Sequence, residues 1–146
     1  GGIMSEGFPF YEEVTVRFRD IDAMGHVNNA VYFTYMESAR TAFFRHFLEI
    51  EKPLDLPVIL GEIRCRYLSP AHFGETLRVG LGISRWGRKS FDFVYQIEGG
   101  DGRVVATGHS VMVMYDYAQA ETFPIPPEFR EQIEAFQGAW MPPVTG

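Results

Sequence analysis

Apolar and polar positions change their period along this chain, and the changes divide it into elements. Val14, Val16 and Phe18 alternate with Thr15, Arg17 and Arg19, the period of two expected of a half-buried strand. Over residues 31–48 the period lengthens. Tyr32, Met36, Ala39, Phe43 and Phe47 recur at spacings of three and four, without Gly or Pro, which predicts one helix of about five turns. Pro53 and Pro57 bracket the loop that follows. Period two then returns. Ile59, Gly61, Ile63, Cys65 and Tyr67 alternate with Leu60, Glu62, Arg64 and Arg66, and Ser69-Pro70 ends the run. Leu77, Val79, Leu81 and Ile83 form the next strand, and a turn around Trp86-Gly87-Arg88 leads to Phe91, Phe93, Tyr95 and Ile97. Gly99-Gly100-Asp101-Gly102 is a hairpin signal. The last strand covers residues 104–115; Val111, Met112, Val113 and Met114 make its second half apolar on both sides, as for a strand covered on both faces. Ile125-Pro126-Pro127-Glu128 opens a short helix reaching about Phe136, with Pro in its first turn.

The order is one strand, one long helix, then four strands joined by tight turns. Turns this short force antiparallel neighbours, so the class is α+β with an antiparallel five-stranded sheet. One helix covers one face of such a sheet, and the other face or an edge calls for a partner. We therefore expect a homo-oligomer. A single domain is expected at 11–137, with tails at 1–10 and 138–146. Gly1, Gly2 and Ile3 ahead of Met4 read as an expression remnant.

Composition narrows the function. The net charge of −6 argues against general nucleic-acid or anionic-membrane binding. Aromatic residues at 15% imply thick packing, an apolar ligand groove or a large subunit interface. The single Cys65 excludes an internal disulfide, is expected to be a structural thiol and suits a reducing, cytoplasmic setting. No apolar run approaches the roughly 20 residues that span a bilayer, and no signal peptide is read at the N-terminus, so membrane insertion is not expected.

The chemistry concentrates in Phe18-Arg19-Asp20-Ile21-Asp22-Ala23-Met24-Gly25-His26-Val27-Asn28-Asn29-Ala30-Val31-Tyr32, between the first strand and the long helix. Two carboxylates, an imidazole and two carboxamides surround a glycine, in the kind of short, rigidly anchored loop where binding and catalytic groups gather. Asp22 is the candidate nucleophile or general base, though an Asp there also suits a plain turn. Asp20 is expected to be a carboxylate held by Arg17 or Arg19. His26 is a candidate catalytic residue, or one that orients substrate or bonds the loop, though it also suits a plain polar position. Gly25 marks a positive φ or a close ligand approach. Asn28 or Asn29 is the expected helix N-cap, with Asn28 also a candidate to touch substrate, and Tyr32 is expected to be core or the wall of a substrate groove. Arg85, Arg88 and Lys89 cluster at a turn with Ser90, either as a solvated hairpin or as a landing site for phosphates. The run from Gly82 to Ser90 is a near miss for a phosphate-binding P-loop, and the strand pattern after it rules that out. His46, His72 and His109 lack metal-ligand spacing, so no metal is expected.

On the motif Phe18-Arg19-Asp20-Ile21-Asp22-Ala23-Met24-Gly25-His26-Val27-Asn28-Asn29…Tyr32 and the helix after it, the chain resembles the hotdog-fold acyl-CoA thioesterases, specifically the 4-hydroxybenzoyl-CoA thioesterase-like branch. The resemblance implies a hotdog fold, in which the sheet wraps around one long central helix, and a dimer or dimer of dimers with the site at a subunit interface. It implies an acyl-CoA substrate with no further cofactor, since coenzyme A is part of that substrate. Asp22 falls at the catalytic carboxylate of that branch, and the oxyanion-binding N–H maps near Asn29. Trp86-Gly87-Arg88-Lys89-Ser90-Phe91 is similar to the turn that meets the nucleotide end of coenzyme A. The His26-Val27-Asn28-Asn29 wording also resembles plant acyl-carrier-protein thioesterases, which carry a catalytic Asn where this chain has Met24. A hotdog-fold dehydratase or hydratase, and a non-catalytic acyl-CoA or acyl-carrier binding module, are the alternatives.

Overall fold

The alternating runs become strands of one twisted sheet in a computed structural model of the chain, which describes residues 7–48 and 56–143. The readings of Gly1, Gly2, Ile3, Met4 and Pro53 fall outside the described residues. The elements are β1 (Phe10–Thr15), α1 (Val31–Phe47), β2 (Val58–Tyr67), β3 (Thr76–Trp86), β4 (Ser90–Glu98), β5 (Val104–Asp116), β6 (Glu121–Thr122) and α2 (Pro127–Gln137). The sheet runs β1-β3-β4-β5-β2, with every pairing antiparallel. These are the five expected strands. The two-residue β6 adds a sixth by pairing Thr122 with Tyr115.

Each inward row follows from the period of two. Leu77, Val79, Leu81 and Ile83 of β3 and Phe91, Phe93, Tyr95 and Ile97 of β4 are buried under α1. The helix contributes Tyr32, Tyr35, Met36, Ala39, Arg40, Phe43 and Phe44. Phe43 meets Phe93 edge to face at 5.1 Å. A Cβ added to Gly108 of β5 would lie 2.5 Å from the Met36 Cε, so glycine there lets the helix settle on the sheet. α2 begins where Pro126 and Pro127 predict, and its Phe129 and Ile133 close the end of the core against Phe44, Phe91 and Trp86.

The helix carries an inward residue that an apolar pattern does not announce. Arg40 is buried beside Tyr95 and has one side-chain nitrogen, Nη1, without a partner among the described residues. Tyr95 in turn shares a 2.6 Å hydrogen bond with Ser110.

The outer face of the sheet is partly covered by the chain's own ends. Phe8 and Tyr11 pack over Gly80, Trp140 and Pro9 over Gly82, and the Trp140 indole donates to the Gly7 carbonyl at 2.8 Å. Packed residues thus extend on both sides of 11–137. The β5–β2 part of that face stays open as a groove of about 700 Å³ that includes Arg64, Gln96, Thr107 and His109. β2 is a sheet edge, and a bulge between Leu60 and Glu62 leaves Ile59 and Leu60 about 40% exposed. The expected two-sided cover of β5 is met only in part within one chain: Met112 and Met114 are buried, while Val111 and Val113 are half-buried.

Two local expectations are corrected. Phe18 does not continue β1. The Asp20 carboxylate accepts from the Arg17 N–H at 2.9 Å and from its guanidinium at 3.1 Å, which closes a 3-10 turn, Phe18–Asp20, and swings Phe18 out onto Phe73. Neither Asn28 nor Asn29 is the N-cap of α1. Ala30 holds that position, because the Asn28 side chain closes a turn one step earlier by accepting from the Ala30 N–H at 2.9 Å.

Candidate active site

The loop between the 3-10 turn and α1 is an irregular hairpin. Asn28 N–H donates to the Asp20 carbonyl at 2.9 Å, Ile21 pairs with Val27, and Asp22 N–H donates to the His26 carbonyl at 2.8 Å. Gly25 turns the tip at φ +81°, and a Cβ there would meet nothing within 4 Å. Its glycine therefore serves backbone conformation, one of the two needs read from the sequence.

Asp20 anchors the base. It is buried, accepts from Arg17 and takes the Tyr35 hydroxyl at 2.9 Å. Burial pushes its carboxyl up, but bonds from the Arg17 backbone and guanidinium and from Tyr35 outweigh this and hold it below the usual range. The same contact, with burial, drives the Tyr35 phenol well above its ordinary value. Asp20 is the held carboxylate expected from the sequence, and Arg17, not Arg19, holds it.

Asp22 is exposed in the single chain. Its Oδ1 accepts from Met24 N–H at 2.9 Å and His26 N–H at 3.3 Å. Its Oδ2 has no hydrogen bond among the described residues. One oxygen is thus oriented by the backbone while the other faces outward. Asn29 N–H likewise has no acceptor among the described residues. Tyr67 reaches across from β2 and donates to the Asn29 carbonyl at 2.8 Å, fixing that peptide at the approach to α1. Tyr32 is buried beside Tyr67, 5.3 Å between rings, and burial raises its phenol.

The β2–β3 connection backs this loop. Val27 N–H donates to the Ala71 carbonyl at 2.9 Å, and the His26 and His72 rings meet edge to face at 5.2 Å. Tyr35, Tyr67 and His72 escaped the sequence reading as site neighbours. The run Ala71-His72-Phe73-Gly74-Glu75, turned by Gly74, was the one local signal for His72, and the two tyrosines had none.

The basic turn is less open than its composition implies. Arg85 donates to the buried Asp92 carboxylate at 2.9 Å and to Ser90 Oγ at 3.0 Å. Lys89 donates to Thr122 at 3.2 Å. Arg88 is exposed; its carbonyl accepts from the Ile125 N–H at 2.9 Å, but its guanidinium makes no hydrogen bond or ion pair among the described residues. The four residues are brought together, but Arg85 is committed to Asp92 because the β3–β4 register sets the two opposite each other. Cys65 is half-buried on β2, and burial raises its thiol. Among the described residues no three His, Cys, Asp or Glu side chains form a metal cluster, and no helix is long and apolar enough to cross a membrane.

The Thioesterase-like superfamily matches residues 16–133. YsmA, an uncharacterized protein of Bacillus subtilis (strain 168), is 31% identical over 106 residues, which is 73% of this chain and 72% of that protein. YneP of the same organism, provisionally named an acyl-CoA thioesterase, is 33% identical over 88 residues, 58% of this chain and 62% of that protein. The crystal structure of a Thermus thermophilus thioesterase complexed with coenzyme A and Zn superposes with a TM-score of 0.81. It is 34% identical, and the alignment covers 90% of this chain and 97% of that one.

Proposed function

The chain belongs to the thioesterase-like superfamily and is a thioester hydrolase, and on that premise we propose that it splits acyl-CoA thioesters at the Asp22 loop. Membership sets aside the dehydratase and the binding-module readings. One observation carries the assignment of the site: Asp22 has one oxygen oriented by two backbone N–H groups and the other free, on a loop that leads directly into α1.

Hydrolysis breaks the carbonyl carbon–sulfur bond. Water supplies the oxygen of the free acid, and the coenzyme A thiolate takes up a proton. Asp22 serves this in one of two ways. As a nucleophile, Oδ2 attacks the carbonyl carbon, expels the thiolate and forms a mixed anhydride that water then opens. As a general base, it takes a proton from water as that water attacks. Both courses need the carboxylate as an anion with a free oxygen. The carbonyl oxygen gains negative charge in either case, and the unpaired Asn29 N–H beside the start of α1 is the donor for it. Gly25 and Asn28 hold the loop's shape, and His26 closes it by bonding Asp22 from both its N–H and its carbonyl. Tyr32 forms part of the wall behind Asn29. Arg88 meets a coenzyme A phosphate, with Lys89 and Ser90 beside it. The active form is a homodimer or dimer of dimers, whose partner covers the exposed Asp22. Cytoplasmic placement suits such a substrate.

Free-thiol release from a panel of aliphatic and aromatic acyl-CoAs tests this. Wild-type protein should release thiol. Asp22→Asn keeps the side-chain shape, should stay folded and should lower kcat by on the order of 10²–10⁴. Turnover near the wild-type rate in that variant would remove Asp22 from the chemistry.

A further inference from the structure

We propose that His72 is a positioning residue for this hydrolysis, held by Glu75 so that its imidazole packs on the His26 ring and steadies the residue whose backbone bonds Asp22. The proposal rests on the reading of the Asp22 loop as the reactive site.

His72 is the bridge partner of His26, and the two rings meet edge to face. The neighbouring rung, Val27 N–H to the Ala71 carbonyl, makes the β2–β3 connection the wall against which the loop leans. On its other side His72 is gripped by one residue. Its N–H donates to Glu75 Oε2 at 2.7 Å, and its Nδ1 lies 3.4 Å from the same oxygen. Glu75 is itself fixed, because Oε1 accepts from Arg103 at 2.9 Å. Arg103 also donates to Asp101 at 2.9 Å, to Ser69 Oγ at 3.2 Å and to the Pro70 carbonyl at 3.3 Å. The β4–β5 hairpin thus clamps the loop that carries His72.

This grip has a chemical direction. Burial pushes the Glu75 carboxyl up, but bonds from the His72 N–H and from Arg103 outweigh that and hold it below the usual range. Glu75 is then an anion wherever histidine titrates. An anion beside Nδ1 assigns that nitrogen the proton and leaves Nε2 as the free nitrogen. The other titratable or charged groups around the pair are Asp22, which accepts from the His26 N–H, the Tyr32 hydroxyl beside the Ala71 backbone, and Arg103 and Asp101 behind Glu75.

The test measures kcat and KM for acyl-CoA hydrolysis, with Tm alongside, for wild type, His72→Ala, His72→Phe and Glu75→Gln in the intact protein. Ala removes the ring contact, Phe keeps it, and Glu75→Gln spares the ring while loosening its grip. His72→Ala should lower kcat by on the order of tenfold with KM changed less, the cost of a loosely held reactive group. His72→Phe should restore most of that loss, and Glu75→Gln should fall between the two. Wild-type kcat in a folded His72→Ala, or a His72→Phe no more active than His72→Ala, would overturn the positioning role. Wild-type protein without acyl-CoA hydrolysis would instead overturn the function on which that role rests.

Discussion

Replacing Asp20 by asparagine separates the scaffold of the site from its chemistry. Asp20 Oδ2 accepts from the Arg17 N–H and the Tyr35 hydroxyl, and Oδ1 accepts from the Arg17 guanidinium. Asparagine keeps one oxygen. Placed at Oδ2 it retains the first two bonds, and its NH₂ then confronts the guanidinium donor to donor. The loss is one charge-assisted bond, worth about 1.5–3 kcal/mol, and half-exposed Arg17 puts it near the low end, about 2 kcal/mol. For 146 residues at roughly 2.1 cal/mol/K each, the melting entropy is about 0.3 kcal/mol/K, so Tm should fall by roughly 6 °C. The effect has a pH signature. The folded-state pKa of Asp20 is depressed, so its stabilisation is complete above the unfolded value near ~3.9 and is lost as pH falls through the lower folded value. Asparagine does not titrate. The gap in Tm between wild type and variant should therefore be full at neutral pH and shrink in acid below that range. Thermal melts followed by circular dichroism at neutral pH and near pH ~3 measure this. kcat should fall less than in Asp22→Asn. A gap of equal size at both pH values, or no gap, would refute the account of Asp20 as the ionised anchor of the loop.

Gly25→Ala should cost about 1 kcal/mol through its left-handed backbone rather than through any clash, and Gly25→Asn should cost less; thermal melts decide. Arg88→Ala should raise KM for acyl-CoA at low salt, with the penalty shrinking at high salt and Tm unchanged. Arg85→Ala should behave in the opposite way, lowering Tm because Asp92 loses a partner while buried, with a smaller change in KM. The exposed β2 edge, with Ile59 and Leu60 at its bulge, predicts a homodimer at least, and light scattering that finds a stable, active monomer would contradict it.

Much of the fold is legible in the periods. The helix is foreseen to within one residue, at Val31–Phe47, and the β3 and β4 inward rows match residue for residue. Periodicity states which face a residue takes, but not its neighbour across the ladder. It could not place β2 beside β5, nor give Asp92 to Arg85 and His109. Phe18 and the helix cap were misread because side-chain bonds of Asp20 and Asn28 to nearby backbone N–H groups compete with a strand and with a simple cap. The Asp22 loop stood out because its chemistry is contiguous. His72 and Glu75 did not, because they reach the loop only through the β2–β3 connection.

The strand order carries a consequence for how the chain acquires its shape. Phe10 pairs with Leu81 and Val58 with Met114, so both outer strands wait for partners that are synthesised later. Until β3, β4 and β5 exist, α1 has no sheet for Met36, Phe43 and Phe44 to cover, and the Asp22 loop has no β2–β3 wall behind it. A growing or truncated chain that stops short of β5 presents an aromatic helix flank and an unpaired β2, the features that recruit chaperones or lead to aggregation. The hairpin of β4 and β5 is the last part needed, and through Arg103 it also secures the loop that backs the site. Completing the sheet and setting the Asp22 loop in place are therefore one folding event.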